Sequence, residues 1–207
     1  MASKIVNMRV NGRDEALVVS SLTTLQDVLR DKLDYTSVKD GCSQGGCGSC
    51  SVIIDGELRL SCLTPVQEVH GSEVTTLEGL NQSNSITALQ SQFIEKYAAQ
   101  CGFCTPGMMV AIKALLDKNP SPSRDEISEA LAGNICRCTG YLPIIEAVES
   151  VVAEMSGAAG DSGKGRCPCA PPAASENAPQ QLFACQVIEH RHLGGTSVAR
   201  RRLGFDA

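Results

Sequence analysis

The sequence predicts an α+β protein with two small domains and a tail of different composition. Strand-like runs and tight turns fill the first 80 residues, helical periodicity follows to residue 155, and Gly, Ala, Ser and Pro are abundant from residue 156. With 207 residues, of which 43% are hydrophobic, the chain is long enough to bury two small cores. We therefore predict domains over residues 1–80 and 81–155 and a disordered, low-complexity tail over residues 156–207.

The first domain has the pattern of two hairpins and a single helix. The runs KIVNMRV and ALVV flank Asn11-Gly12, a pair that accepts the positive φ angles of a type I′ turn. The segment TLQDVLRDKL has apolar residues at helical spacing behind an N-capping threonine. SVII and ELRLSCL flank Asp55-Gly56 in the same manner, and EVTTLEGL is predicted as a short final strand. This order of elements predicts a small domain of the β-grasp type.

The second domain is predicted to consist of four helices. SITALQSQFIEKYA has an apolar face, and Thr105 followed by Pro106 predicts the cap and the first position of the next helix. That helix should stop at Asn119, which precedes a proline. Ser123 and Glu126 form a capping box before the third helix, and YLPIIEAVESVVAEM is the fourth.

Composition and charge argue against several classes of function. A net charge of −5, a pI of about 5.2 and an aromatic content of 3% argue against phosphate-binding and base-stacking surfaces. No apolar run approaches the ~20 residues that span a membrane, and the start MASKIVNMRVNG lacks the apolar core of a secretory signal. We therefore expect a cytoplasmic protein whose eleven cysteines are metal ligands or redox thiols rather than disulfides.

The stretch GCSQGGCGSC carries most of the first cysteine group. The members of this group are Cys42, Cys47, Cys50 and Cys62. Their spacing is the plant-type pattern for a [2Fe–2S] cluster. The glycines among them are Gly41, Gly45, Gly46 and Gly48. They allow the backbone to approach an anionic cluster closely and to turn its N–H groups toward the sulfurs. A zinc site, the main alternative, usually uses cysteine pairs, and this glycine-rich loop fits that arrangement poorly.

The second cysteine group lies in two loops between predicted helices. Its members are Cys101, Cys104, Cys136 and Cys138. Two cysteines separated by two residues and followed by a second pair are compatible with a zinc site as well as with an iron–sulfur cluster, and spacing alone leaves both open. A thioredoxin-like dithiol at CGFC is a third alternative, but that motif belongs to a βαβ setting and no strand pattern surrounds it.

The stretches GCSQGGCGSC, QCGFCTPGMM and NICRCTGY, together with Cys62, resemble the iron–sulfur subunit of the molybdenum hydroxylases. This is the family of xanthine dehydrogenase, aldehyde oxidoreductase and carbon monoxide dehydrogenase, and the resemblance covers about residues 3–155. It implies a plant-ferredoxin-like β-grasp domain that holds a distal [2Fe–2S] cluster through the first cysteine group. It further implies a four-helix domain that holds a proximal [2Fe–2S] cluster through the second group.

The same resemblance implies an electron-transfer subunit of a multi-subunit oxidoreductase, without catalytic residues of its own. The molybdopterin cofactor would lie in a large subunit and FAD in a medium subunit, assembled as a heterohexamer of two heterotrimers. Gln100 matches the family glutamine that hydrogen-bonds the pterin, and Cys138 matches the ligand nearest that cofactor. Single electrons would pass from molybdenum through both clusters to FAD. In agreement, the sequence contains no GxGxxG nucleotide motif and no acid–base constellation.

Three other interpretations stay open on the sequence alone. KNPSPSRDEISEALAGNICRCTGY resembles the small subunit of 4-hydroxybenzoyl-CoA reductase, in which electrons would flow in reverse, toward molybdenum. A zinc-stabilised binding module and a stand-alone ferredoxin are the other two. In the tail, a metal site competes with disorder. Its candidate ligands are Cys167, Cys169, Cys185, His190 and His192, and their spacing fits no standard zinc signature.

Overall fold

The computed structural model describes residues 3–20, 22–81 and 84–157, which all lie within one compact unit. A five-stranded sheet and a short helix come first along the chain, and four longer helices follow, which confirms the predicted α+β class. The strands are β1 (Ser3–Val10), β2 (Arg13–Ser20), β3 (Ser51–Ile54), β4 (Glu57–Leu60) and β5 (Glu73–Thr75).

The sheet has the strand order β2-β1-β5-β3-β4. β1 and β2 form an antiparallel hairpin in which Val10 lies opposite Arg13. β1 pairs in parallel with β5, whereas β3 pairs antiparallel with both β4 and β5. Asn11 and Gly12 have φ angles of 51° and 79°, so the first turn has the two left-handed residues that a type I′ hairpin requires. Both predicted hairpins are therefore confirmed.

Helix α1 (Leu25–Asp27) continues directly into a π-helical turn, Val28–Lys32. Thr24 caps this helix, as predicted, and it also forms a capping box with Asp27. The buried side chains of this segment share one core with side chains of the sheet. That core includes Val6, Val10, Leu25, Val28, Leu29, Val52 and Val74.

The helical part contains a short helix and the four longer helices that the sequence predicts. These are α2 (Leu77–Leu80), α3 (Asn84–Glu95), α4 (Thr105–Lys118), α5 (Arg124–Leu131) and α6 (Leu142–Met155). Their buried faces form a second core, distinct from the first. It includes Leu89, Phe93, Met108, Ile112, Ile127, Leu131, Ile144 and Val148.

The prediction of a strand over the whole of EVTTLEGL is wrong in its second half. Strand β5 ends at Thr75, and Leu77–Leu80 forms α2. The cause is a contact with the first hairpin turn: the Thr76 N–H donates to Asn11 Oδ1 at 2.9 Å, and Asn11 Nδ2 donates to Thr76 Oγ1 at 3.0 Å. A Cβ atom at Gly79 would lie 2.2 Å from Asn11 Oδ1, so the helix passes close to the turn only because Gly79 lacks one.

The helix boundaries follow the predicted signals closely. Ser123 accepts from the Glu126 N–H and Glu126 accepts from the Ser123 N–H, so the capping box of α5 is confirmed. Helix α4 stops before Asn119, as predicted. Its start differs by one residue, because Cys104 occupies the cap position and Thr105 is already helical. The second cysteine of CGFC therefore lies directly at a helix N-terminus.

None of the helices among the described residues is long and apolar enough to cross a membrane. Residues from position 158 onward are not described by the structure. The predictions that concern them, including those for Cys167, Cys169 and Cys185, therefore lie outside the described residues.

Candidate iron–sulfur sites

The second hairpin brings two cysteines of the first group together. Cys50 directly precedes β3, and Cys62 lies in a 3₁₀ turn, Ser61–Leu63, that directly follows β4. The Ser61 N–H donates to Cys50 O at 3.2 Å, and the Ser61 hydroxyl donates to the same oxygen at 2.8 Å. Because antiparallel pairing continues to this point, the two thiols meet at the open end of the hairpin, where both are buried.

The four thiols of the first group are arranged as two pairs. The Cys42 thiol lies beside the Cys47 thiol, and the Cys62 thiol lies beside the Cys50 thiol. The backbone N–H of Gln44 lowers the pKa of Cys42 to about 7, assisted by Cys47. Burial raises the pKa of Cys62 to about 11, and its proximity to Cys50 adds to this. Inward-pointing N–H groups thus stabilise negative charge on the Cys42 sulfur, as an anionic cluster requires.

The glycines of the first loop have different roles. Gly45 and Gly48 have φ angles of 79° and 69°, which only glycine adopts at little cost. Gly41 provides close approach instead, because a Cβ atom there would lie 2.9 Å from the Cys47 sulfur. An added Cβ atom at Gly46 would meet nothing within 4 Å, but the Gly46 N–H hydrogen-bonds to the Cys42 sulfur, so the backbone turns toward the sulfurs at this position too. The loop therefore fits closely around its sulfurs at specific points rather than along its whole length.

The second group comes from the start of α4 and from the loop between α5 and α6, and it is also arranged as two pairs. Cys101 and Cys138 are exposed, and their sulfurs lie 3.6 Å apart. The inner pair consists of Cys104, which is half-buried, and Cys136, which is buried, and their thiols lie beside each other. The sequence places these residues far apart, and the packing of the helices brings them together.

The inner pair has two different electrostatic environments. Burial raises the pKa of Cys104 to about 12, and the Cys136 thiol beside it contributes to the rise. Burial acts on Cys136 too, but hydrogen bonds from Thr139 and from the Cys138 N–H outweigh it and lower the pKa of Cys136. One of these bonds runs from the Thr139 hydroxyl to the Cys136 sulfur at 3.2 Å. The loop is therefore built to supply donors to this sulfur.

The paired arrangement of the thiols is compatible with an iron–sulfur cluster. Within residues 3–20, 22–81 and 84–157, no three metal-ligating side chains converge on a point where one ion could bind. A zinc site made only of cysteines needs four thiolates around a single ion, at about 2.3 Å each. A [2Fe–2S] cluster needs four thiolates shared between two irons. Each cysteine group supplies two pairs, so the donor set fits the cluster in both places.

The second cysteine loop donates two hydrogen bonds to backbone carbonyls of the first loop, one from a backbone N–H and one from a side chain. The Ile135 N–H, next to Cys136, donates to Cys47 O at 2.9 Å. Asn134 Nδ2 donates to Gly48 O at 2.9 Å. The sequence gives no clear sign of this contact, although Gly107 inside an apolar helix is a signal for close packing. A Cβ atom at Gly107 would lie 2.5 Å from Gly48 O.

The predicted cofactor-contact residues lie together on the surface. Gln100 Nε2 donates to Cys138 O at 3.0 Å, and both residues are exposed. The side chains of Phe103, Ile135 and Leu142, which lie within or near the second cysteine group in the sequence, are also exposed although they are large and apolar. The exposed thiol pair of the second group is thus accompanied by polar and apolar side chains that are accessible to a partner.

Two protein-family models match this chain. One, described as "2Fe-2S iron-sulfur cluster binding domain", matches residues 2–93, and the other, described as "[2Fe-2S] binding domain", matches residues 76–149. Together with the two sets of paired thiols, these matches define an iron–sulfur protein with two [2Fe–2S]-binding domains.

Known proteins narrow this class further. The chain is 44% identical over 147 residues to the nicotinate dehydrogenase small FeS subunit of Eubacterium barkeri, covering 71% of this chain and 94% of the relative. It superposes on quinoline 2-oxidoreductase from Pseudomonas putida 86 with a TM-score of 0.70 at 42% identity, covering 76% of this chain and 98% of that one. It also matches aldehyde oxidoreductase from Desulfovibrio gigas, with a TM-score of 0.68 at 41% identity, covering 76% of this chain but 18% of the longer one. The chain therefore belongs to the family of iron–sulfur subunits of the molybdenum hydroxylases, and it is an electron-transfer component of an oxidoreductase complex.

Proposed function

We propose that this chain relays single electrons between a molybdopterin centre in a large subunit and FAD in a medium subunit. The observation that carries the proposal is the hydrogen bond from the Ile135 N–H to Cys47 O, because it joins the two cysteine loops. When bound, each [2Fe–2S] cluster supplies a site that accepts or releases one electron. The chain's own contribution is to hold two such sites in direct backbone contact.

The ligand assignment follows the two groups of paired thiols. The proposed ligands of the distal cluster are Cys42, Cys47, Cys50 and Cys62, and those of the proximal cluster are Cys101, Cys104, Cys136 and Cys138. The corresponding domains would be a plant-ferredoxin-like β-grasp over residues 1–80 and a four-helix domain over residues 81–155. The two separate cores and the sheet order support this division.

The exposed part of the second group supports an orientation in the complex. Gln100 and Cys138 are the residues proposed to face the pterin, and the hydrogen bond between them keeps both at the surface. The large subunit would cover this surface, and the medium subunit would approach the first cysteine loop. A heterohexamer in the cytoplasm completes the proposal, and the number of free thiolates needed for two clusters supports that compartment.

The comparisons do not favour the alternative functions. The matching family models and relatives favour iron–sulfur clusters over a zinc-stabilised module, and subunits of larger enzymes over a stand-alone ferredoxin. Reversed electron flow of the 4-hydroxybenzoyl-CoA reductase type is likewise not favoured. The relatives' names refer to nicotinate, quinoline and aldehydes, so the family's iron–sulfur component serves several substrates. The substrate would be set by the large subunit.

Metal content and spectroscopy test the two-cluster proposal. We expect about four irons and four acid-labile sulfides per chain, which make up two [2Fe–2S] clusters. After reduction, the protein should give two distinct EPR signals. Cys47→Ser should remove one signal and leave the other. Cys185→Ser is the matched control, because it makes the same change outside both groups and should leave both signals.

Two results would contradict this proposal. A colourless protein that contains zinc would exclude the clusters, and the loss of both signals in Cys47→Ser with the fold retained would exclude two separate sites. Affinity purification of the tagged chain from its native cells should also bring down a large pterin-containing subunit. Recovery of the chain alone, fully loaded with iron, would favour the stand-alone ferredoxin.

A further inference from the structure

Asn134 occupies an unusual position for a polar side chain. It is only 3% exposed and lies between the end of α5 and the first cysteine of the C-R-C loop. Its backbone N–H donates to Leu131 O at 2.9 Å, and its side-chain Nδ2 donates to Gly48 O at 2.9 Å. The second bond joins residues that are 86 positions apart in the chain. A buried amide therefore connects the proximal cysteine loop to the distal one.

The acceptor of this bond lies in a space that excludes side chains. A Cβ atom at Gly48 would lie 2.4 Å from Gly133 O and 2.7 Å from Asn134 Nδ2. From the other side, a Cβ atom at Gly107 would lie 2.5 Å from Gly48 O. The Gly48 carbonyl is thus enclosed by α4 and by the end of α5, and Asn134 provides a donor to it there.

Tyr141 holds the same segment from its other end. Its φ angle of 69° is left-handed, a rare conformation for a residue with a large side chain. The Tyr141 hydroxyl donates to Asn134 O at 2.9 Å and accepts from the Cys136 N–H at 2.9 Å. Between these two contacts, the Ile135 N–H donates to Cys47 O. Residues 134 to 136 are therefore each fixed by a hydrogen bond to the first cysteine loop or to Tyr141.

We propose that Asn134 and Tyr141 are positioning residues that fix the backbone contact between the two cysteine loops, and with it the separation and magnetic coupling of the two clusters. This inference rests on the proposed two-cluster relay, which supplies the centres to be positioned. Neither residue is a cluster ligand, and both act through the segment 134–136. Replacing either residue should therefore change the magnetic coupling between the two clusters without removing either cluster.

The test uses the full-length chain with both clusters bound and reduced. Tyr141→Phe removes both hydroxyl bonds while keeping the ring, and Asn134→Asp replaces the N–H donor with an oxygen that Gly48 O repels. The matched controls are Tyr35→Phe, in the first core, and Asn81→Asp, at the exposed end of α2. Reduced [2Fe–2S] clusters are paramagnetic, and the interaction between two of them falls with the cube of their distance. The magnetic interaction between the clusters is measured as faster spin relaxation of one EPR signal when the other cluster is also reduced.

We expect both test variants to bind iron and sulfide as the original protein does and to lose at least half of this relaxation enhancement. Tyr141→Phe should also shift the g values of the proximal signal alone, because it frees the Cys136 N–H. The inference would be overturned if the test variants had the same spin relaxation and g values as the controls and differed only in a lower unfolding temperature. Both residues would then have a structural role only. If Asn134→Asp does not retain iron, Tyr141→Phe decides the question. A failure of the original protein to show two signals would instead refute the proposed function.

Discussion

Gly48 provides a sharp test of the contact between the cysteine loops. Its φ angle of 69° disfavours any side chain, and its surroundings leave no space for one. The nearest atom to an added Cβ would be Gly133 O at 2.4 Å, a backbone atom that cannot rotate away. Gly48→Ala should therefore separate the loops or strain both of them.

The magnitude has two contributions. A left-handed conformation costs a residue other than glycine about 1–2 kcal/mol. Overpacking in a closed site costs about 1–3 kcal/mol more. We therefore expect Gly48→Ala to lower the free energy of unfolding by about 2–5 kcal/mol, a large fraction of the ~5–15 kcal/mol that stabilises a typical domain.

Two other glycines separate these contributions. Gly12 has a φ angle of 79° but nothing within 4 Å of an added Cβ, so Gly12→Ala measures the backbone cost alone. Gly46 lies in the same loop as Gly48, has no left-handed φ angle and also has open space, so Gly46→Ala should be nearly neutral. The assay is the urea concentration at which the visible absorbance of the clusters is half lost, measured at one temperature. Equal midpoints for the variants at positions 48 and 46 would refute the argument from close approach.

Three further predictions concern stability. Glu78 is half-buried, which raises the pKa of its carboxyl, but hydrogen bonds from Ser37 and a neighbouring threonine outweigh this and hold the pKa below its usual value. Glu78→Gln should therefore destabilise the fold by about 1–2 kcal/mol at pH 7. This difference in stability should be fully present above the pKa of Glu78 in the unfolded chain, about 4.3. It should be lost as the pH falls through the lower pKa that Glu78 has in the folded protein. Urea titrations across this range measure it, and a constant difference down to pH 2 would contradict it. Ser123→Ala should lower the free energy of unfolding by about 1 kcal/mol, because it removes the capping box that Ser123 forms with Glu126 at the start of α5. The urea midpoint should fall accordingly, and replacing an exposed serine that caps no helix should leave it unchanged. Ile144→Ala should cost about 2–5 kcal/mol, since this side chain is fully buried in the second core, and a smaller loss than for Ser123→Ala would contradict that packing.

Local chemistry explains why so much of the fold can be predicted from the sequence. The turn at Asn11 and the cap at Ser123 are decided by residues within four positions, so their signals are legible in the sequence. The strand error at EVTTLEGL has the opposite origin. There Thr76 is bound by Asn11, 65 residues earlier, and a local pattern cannot show that partner.

The same distinction applies to the site. The cysteine groups could be identified from spacing, but the choice between zinc and iron–sulfur at the second group depends on how the thiols pair. Cys104 meets Cys136 only because two helices pack beside each other, which spacing does not encode. The contact of Asn134 with Gly48 spans 86 residues, and no local sequence pattern indicates it. Glycines without a turn to make, such as Gly107, are the signal that comes nearest to revealing such contacts.

The exposure of Cys101 and Cys138 has a consequence for the order of assembly. Thiols at the surface can receive iron and sulfide from a delivery protein, whereas thiols sealed beneath a large subunit cannot. In the proposed complex the large subunit covers this surface, so we expect the second site to be filled before that subunit docks. The complex would then be built only from chains that already carry their clusters. A chain that docked before its second site was filled would remain without that cluster.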